Sequence, residues 1–245
     1  MENIHINCDL GEGGKIDAEL MPLISACNIA CGGHAGTVES MRETVALAME
    51  NRVEMGAHPS YPDKENFGRI SMQMDPEDLK RSLVAQILSL KQITESEGGK
   101  LSHIKPHGAL YNDASKDEKI AEILIQAVEE FEVNLPIFAP ENSAISQLAR
   151  GRINVIFEAF ADRNYEENYQ LVSRQNSNAL ITEKEQVFVH LFEMFSQGNI
   201  VAVNSKKIPC KATTFCVHSD TPNSLVILEF LQEKLRENNI EILKN

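Results

Sequence analysis

Short apolar runs alternate with longer amphipathic stretches along the whole chain. Residues 4–9, 25–30, 54–58, 103–107, 136–139, 155–161, 200–203 and 214–218 have strand length and strand composition. Between them, Val38, Met41, Val45 and Ala48 recur at helical spacing, as do Leu79, Leu83, Ile87, Leu90 and Ile93. Ile120, Ile123, Leu124 and Val128 predict a further helix, and Leu225, Leu228, Leu231 and Leu235 a last one. Asp75-Pro76 and Thr221-Pro222 each offer a capping side chain followed by a proline suited to a first helical position. Thr37 caps the Val38 helix with Glu39 in its first turn, and Gly98-Gly99 stops the Leu79 helix. Such alternation predicts parallel strands joined by right-handed crossovers. They form a (β/α)7–8 barrel or, as the competing arrangement, an open doubly wound sheet. No linker-like stretch, repeat or low-complexity tract divides the chain, so residues 1–245 are read as one domain.

Alternation along the strands places chemistry on single faces. His5, Asn7 and Asp9 share one face of the first strand, with Ile4, Ile6 and Cys8 on the other. His103, Lys105 and His107 share a face, as do Glu158, Phe160 and Asp162, and Cys216, His218 and Asp220. A single polar set could be structural. Several running toward the carboxyl ends of their strands point to one shared pocket, because burying unused ionisable groups is costly.

Composition narrows the function. Among 245 residues, 23 Lys+Arg face 36 Asp+Glu, a formal net charge of −13, which disfavours nucleic acid or an anionic membrane as partner. The 5 cysteines (Cys8, Cys27, Cys31, Cys210, Cys216) and the absence of a leader-like start predict reduced thiols in the cytoplasm. The Cys27-x3-Cys31-x2-His34 spacing lacks a second pair and reads as core thiols rather than zinc ligands. Gly13-Gly14-Lys15 and Gly98-Gly99-Lys100 are not phosphate-binding loops, and no Ser stands in a nucleophile elbow. The glycine-rich stretch 28–36 before a helix is either an anion cradle or an ordinary tight turn.

Strings in order over nearly the full length carry a resemblance: Asn7-Cys8-Asp9-Leu10-Gly11-Glu12-Gly13, residues 25–36, Gly56-Ala57-His58-Pro59 and Phe67-Gly68-Arg69. They continue with Lys105-Pro106-His107-Gly108-Ala109-Leu110-Tyr111-Asn112, residues 158–165 and residues 216–222. The chain resembles the LamB/YcsF family. It departs from the family pattern at Ile70, at residues 167–171 and at Ser219. The resemblance implies a single-domain distorted (β/α)7 barrel similar to that of polysaccharide deacetylases. It further implies a cytoplasmic ATP-dependent hydrolase that opens the lactam of 5-oxo-L-proline to L-glutamate together with partner subunits B and C.

ATP coupling fits the chemistry, because phosphorylating the amide oxygen activates an unreactive lactam toward water. On this reading Lys105 and Arg69 neutralise oxyanion or phosphate charge, Asp9 or Glu12 is the base, and His58 or His107 donates a proton. Asn7, Asn28, His34, Tyr111, Asp162, Arg163, His218 and Asp220 are expected to bind and position substrate. Two other readings stay open. One is an independent metal-dependent hydrolase of the carbohydrate deacetylase kind, with Asp9, His34, His58 and His107 around a divalent metal. The other is a non-enzymatic binding or regulatory role.

Overall fold

The computed structural model describes residues 2–131 and 135–244. The barrel strands are β1 (Glu2–Leu10), β2 (Ala26–Ala30), β3 (Glu54–His58), β4 (His103–Ile104), β5 (Ile137–Ala139) and β6 (Val155–Phe160). Two short strands follow, β7 (Asn199–Val201) and β8 (Lys207–Pro209), and then β9 (Thr214–Cys216) and β10 (Ile240–Ile242). β1 to β6 pair in sequence order, all parallel, and β9 closes the ring by pairing with both β6 and β1. The result is a closed barrel of seven strands, with β10 added beside the start of β1. The competing open sheet is therefore set aside.

The helices are α1 (Asp17–Leu20), α2 (Val38–Glu50), α3 (Pro76–Ser96), α4 (Gly108–Lys116), α5 (Glu118–Glu129), α6 (Ala144–Leu148), α7 (Lys184–Gln197) and α8 (Ser224–Glu237). Asp75 caps α3 by accepting from the N–H groups of Glu77 and Asp78, and Pro76 takes the first helical position. Thr37 and Ser40 form a reciprocal capping box on α2. Among the described residues, no helix is long and apolar enough to cross a membrane.

Two expectations fail for local reasons. Residues 200–203 do not join the barrel. Gly198 ends α7 in the left-handed conformation, and the run folds back as an antiparallel hairpin, Asn199–Val201 against Lys207–Pro209. Thr221 does not cap α8 either. Asn223 occupies the cap, while the Thr221 hydroxyl donates to the buried carboxylate of Asp162. The strand expected over 103–107 keeps ladder pairing only at His103–Ile104, because Pro106 has no N–H to give. Its direction nonetheless continues, since Lys105 and His107 donate their N–H groups to Ala57 and Pro59.

The outward faces pack against the helices, where Ile4, Ile6, Cys8, Leu10, Ile29 and Ile104 are fully or almost fully buried. The inward face is polar where most barrels of this type carry branched aliphatics. Asn7, Asn28, His103, Lys105, Glu158 and Thr214 are all buried. Gly56 makes this possible. It sits opposite His103 across β3 and β4, and a Cβ there would meet the imidazole at 2.1 Å. That ring needs the space to stack on Phe138 and reach Asn28 Oδ1 at 2.7 Å. Gly56→Ala is expected to destabilise the fold by about 2–3 kcal/mol through overpacking, read as a lower urea midpoint with an unchanged denaturant slope.

Candidate active site

The polar interior leads to a cavity of about 740 Å³ at the carboxyl ends of the strands. Asp9, Glu12, His58, Lys105, His107 and His218 border it, and Arg69, Arg163, Arg174 and Lys116 also line it. A roof segment, residues 171–176, covers part of it.

Asp9, near the end of β1, is the hub. Its Oδ1 accepts from Asn28 Nδ2 at 2.7 Å and from Lys105 Nζ at 2.9 Å, while Oδ2 lies 3.4 Å from His58 Nε2 and 3.9 Å from His218 Nε2. Lys105 Nζ also lies 3.0 Å from Glu158 Oε1, 3.1 Å from Asn7 Oδ1 and 3.0 Å from Cys216 Sγ. Burial works against both charges, but each supports the other. His58 and Lys105 hold the Asp9 carboxyl well below the usual carboxylate range, and Asp9 foremost holds the Lys105 ammonium above its usual value. Burial pushes the Cys216 thiol up, so it stands beside Lys105 as a thiol rather than a thiolate.

Beside Asp9 lies a carboxylate–imidazole cluster. Glu12 Oε1 is 2.9 Å from His34 Nε2, 3.3 Å from His107 Nδ1 and 3.7 Å from His58 Nε2. Burial would raise Glu12, but the imidazoles of His107 and His34 beside it hold it well below its ordinary value. Burial brings His34 down to about 4, so near neutral pH a neutral ring donates from Nε2 to Glu12. Phe67 sits in the left-handed region at φ 54° and points its carbonyl at His107 Nε2, 2.9 Å away. Gly68 must follow it, since a Cβ there would press on His34 and His107. Ligand atoms of Glu12, His34, His58 and His107 all lie within 4.8 Å of one another, a grouping able to approach a metal ion.

Behind His218, on the other side of Asp9, Asp162 is completely buried. It accepts from the backbone N–H and Nδ1 of His218, both at 2.9 Å, and from Thr221 Oγ1 at 2.6 Å. Against burial, His218 and then Thr221 bring the Asp162 carboxyl down to about 2. The imidazole is thereby fixed with Nδ1–H on Asp162 and Nε2 turned toward Asp9. At the rim, Arg69 pairs with Asp220, and Arg174 approaches the same carboxylate at 3.6 Å.

Of the residues singled out in the sequence, Asp9, Glu12, His58, Arg69, Lys105, His107, Tyr111, Arg163, His218 and Asp220 line the cavity. Asn7, Asn28, His34 and Asp162 do not; they stand behind lining residues and orient them. Arg163 lends its guanidinium to the roof, donating to the carbonyls of Ala179 and Val172. The 28–36 loop is a tight turn closed by Gly32 N–H to Ala35 O, and none of its residues lines the cavity. Sequence reasoning left out Arg174 and the roof, which sit in irregular chain without a signature. It also left Glu158 out of the site, although Glu158 was visible on the inward face of its strand.

A closed seven-stranded α/β barrel with an ionised cavity at its carboxyl mouth defines an enzyme-like barrel rather than a doubly wound nucleotide-binding sheet. The LamB/YcsF family model matches residues 4–245, and the chain belongs to that family. It is 40% identical over 243 residues to a protein of Haemophilus influenzae strain PittEE named as the A component of 5-oxoprolinase, covering 99% of each chain. A relative of the same name from strain PittGG is 39% identical over the same length. The crystal structure of a lactam utilization protein from Thermus thermophilus superposes with a TM-score of 0.92 at 32% identity, over 99% of this chain and 100% of that one. A deacetylase solved with substrate shares the fold at a TM-score of 0.50 and 10% identity, over 99% of this chain and 87% of that one.

Asp162→Asn is expected to cost about 3 kcal/mol at pH 7, because it removes the charge that holds His218 and Thr221. The Asp162 carboxyl titrates lower folded (about 2) than unfolded (3.8), so its stabilisation is complete above about pH 4 and fades as pH falls toward 2. Urea midpoints at pH 7, 4 and 3 should show that acid loss, up to about 2 kcal/mol, in the parent and not in the variant.

Proposed function

We propose that this chain is the A component of an ATP-dependent 5-oxoprolinase, opening the lactam of 5-oxo-L-proline to L-glutamate in a cytoplasmic assembly with subunits B and C. The observation that carries the reading is full-length similarity to proteins named as that component, joined to a floor built for acid–base work.

The reaction adds water to the ring carbonyl and breaks its C–N bond, so it needs a base for the water, charge for the oxygen and a proton for the departing nitrogen. Phosphorylation of the carbonyl oxygen by ATP would activate that carbon. Addition of the first water and cleavage of the C–N bond leave an acyl phosphate with the amine free, and a second water then releases phosphate as the carboxylate forms. Asp9 has one committed oxygen and one turned toward the cavity side, the arrangement of an oriented base. Lys105 has three N–H groups and more acceptors than that within 3.1 Å. Its part is therefore to hold Asp9 ionised and aimed, and only secondarily to meet an oxyanion. His218, backed by Asp162, is placed to deliver the proton to nitrogen. Arg69 and Arg174 can exchange Asp220 for a carboxylate or phosphate, and Lys116 lines the same cavity.

The test uses the assembled subunits, assaying glutamate formation from 5-oxoproline with and without ATP. Asp9→Asn and Lys105→Met are each expected to lower the ATP-dependent rate at least about 100-fold while leaving the assembly intact by size-exclusion chromatography. Near-parental rates in both variants would remove the assignment, and glutamate formed by the chain alone without ATP would remove the coupling.

A further inference from the structure

His58 and His107 meet nitrogen to nitrogen. His58 Nδ1 is 2.7 Å from the Lys105 carbonyl, and His107 Nε2 is 2.9 Å from the Phe67 carbonyl. A carbonyl only accepts, so both outer nitrogens carry the hydrogen. The inner nitrogens, His58 Nε2 and His107 Nδ1, are then lone pairs in the neutral rings, and they face each other at 2.9 Å. Two buried lone pairs at that distance repel unless a proton or a metal cation stands between them. Two carboxylates complete the setting: Glu12 Oε1 at 3.3 and 3.7 Å from the two nitrogens, and Asp9 Oδ2 at 3.4 Å from His58.

We propose that His58 Nε2, His107 Nδ1 and Glu12 Oε1 form a binding site for one divalent transition cation, of the zinc or manganese kind, with Asp9 Oδ2 beside its open side. Imidazole with carboxylate suits such ions, and outer ring nitrogens held by backbone carbonyls are the usual support for metal-binding histidines. Bonds of about 2.0–2.2 Å place tetrahedral ligand atoms about 3.3–3.6 Å apart. Glu12 Oε1 stands at 3.3 and 3.7 Å from the two nitrogens, and the nitrogens, now 2.9 Å apart, would separate slightly around an ion. The His58 and His107 rings cross at 87°, so both can point at one ion.

His34 is excluded as a direct ligand, although its atoms are near enough. Its ring stacks on His107 with centroids 3.6 Å apart and planes 4° from parallel, so the two in-plane lone pairs cannot converge. It acts instead as a positioning residue, holding Glu12 through the 2.9 Å contact. The site does not depend on the 5-oxoprolinase reading, because its test measures metal and not turnover.

The full-length chain, freed of metal by chelator and dialysis, is titrated with cobalt(II) while visible ligand-field absorption is recorded, and with zinc and manganese by calorimetry. One ion per chain with a dissociation constant below about 10 μM is expected, with cobalt bands of a four- or five-coordinate site. His107→Ala should weaken binding at least about 100-fold, and His34→Ala about 10-fold. Absence of saturable binding by the parent chain up to about 1 mM metal would overturn the proposal and leave a shared proton between the two rings. So would binding that the His107 change leaves intact in a variant whose circular dichroism matches the parent. The parent titration decides the matter even if a variant fails to fold.

Discussion

The constraint on which the rest depends is a lysine ammonium held inside the barrel between two carboxylates. Lys105 is 1% exposed, and Asp9 and Glu158 flank it with almost as little access to water. Each such ion forfeits several kcal/mol of hydration, and attraction offsets this only when the remaining donors and acceptors are also satisfied. Asn7 meets that demand, donating its amide hydrogens to Glu158 and Thr214 and accepting at its oxygen from Lys105 and Asn28. The inward face of almost every strand is thus committed to one network. An apolar substitution anywhere within it leaves a buried charge or polar group unpaired instead of merely a gap.

That network also decides which atoms remain available for chemistry. Asp9 has one oxygen consumed by Lys105 and Asn28, and the second is turned to the histidines. The Asp162–His218 pair is fixed in the same way beside Asp9, with one ring nitrogen committed and the other presented. Groups held in this manner need little reorganisation when charge develops in a transition state, which is the main lever of electrostatic catalysis. The barrel is in effect a rigid mount, and its polar filling is what makes it rigid in the right orientation.

Much of this was legible in the sequence. Period-two alternation in residues 5–9 and 103–107 marked the inward side chains, and the glycine, proline and aspartate positions marked most turns and caps. Residues 200–203 misled because an apolar run has the same pattern in a hairpin as in a barrel, and only the pairing partner differs. Thr221 misled because a hydroxyl before a proline serves a cap or a buried carboxylate equally well. The division between cavity-lining residues and those behind them was not legible. His34 and His107 look alike as residues, and only ring stacking separates a positioning group from a ligand. The roof and Arg174 carry no periodicity, so nothing in the sequence tied them to residues far away.

The rim settles how an anion can enter a chain of net charge −13. Repulsion from the protein as a whole is screened beyond about 8 Å at physiological ionic strength, so the local arrangement governs. There Arg69 and Arg174 share the single carboxylate of Asp220. At these two guanidiniums an incoming carboxylate or phosphate does not meet a bare cation. To use them it must displace Asp220, exchanging one ion pair for another at little net gain. Lys116 on the same cavity is exposed and so adds little by itself, and retention depends on contacts deeper in the cavity as well. Anions that only match the rim charge leave again, and a ligand that spans rim and floor is selected.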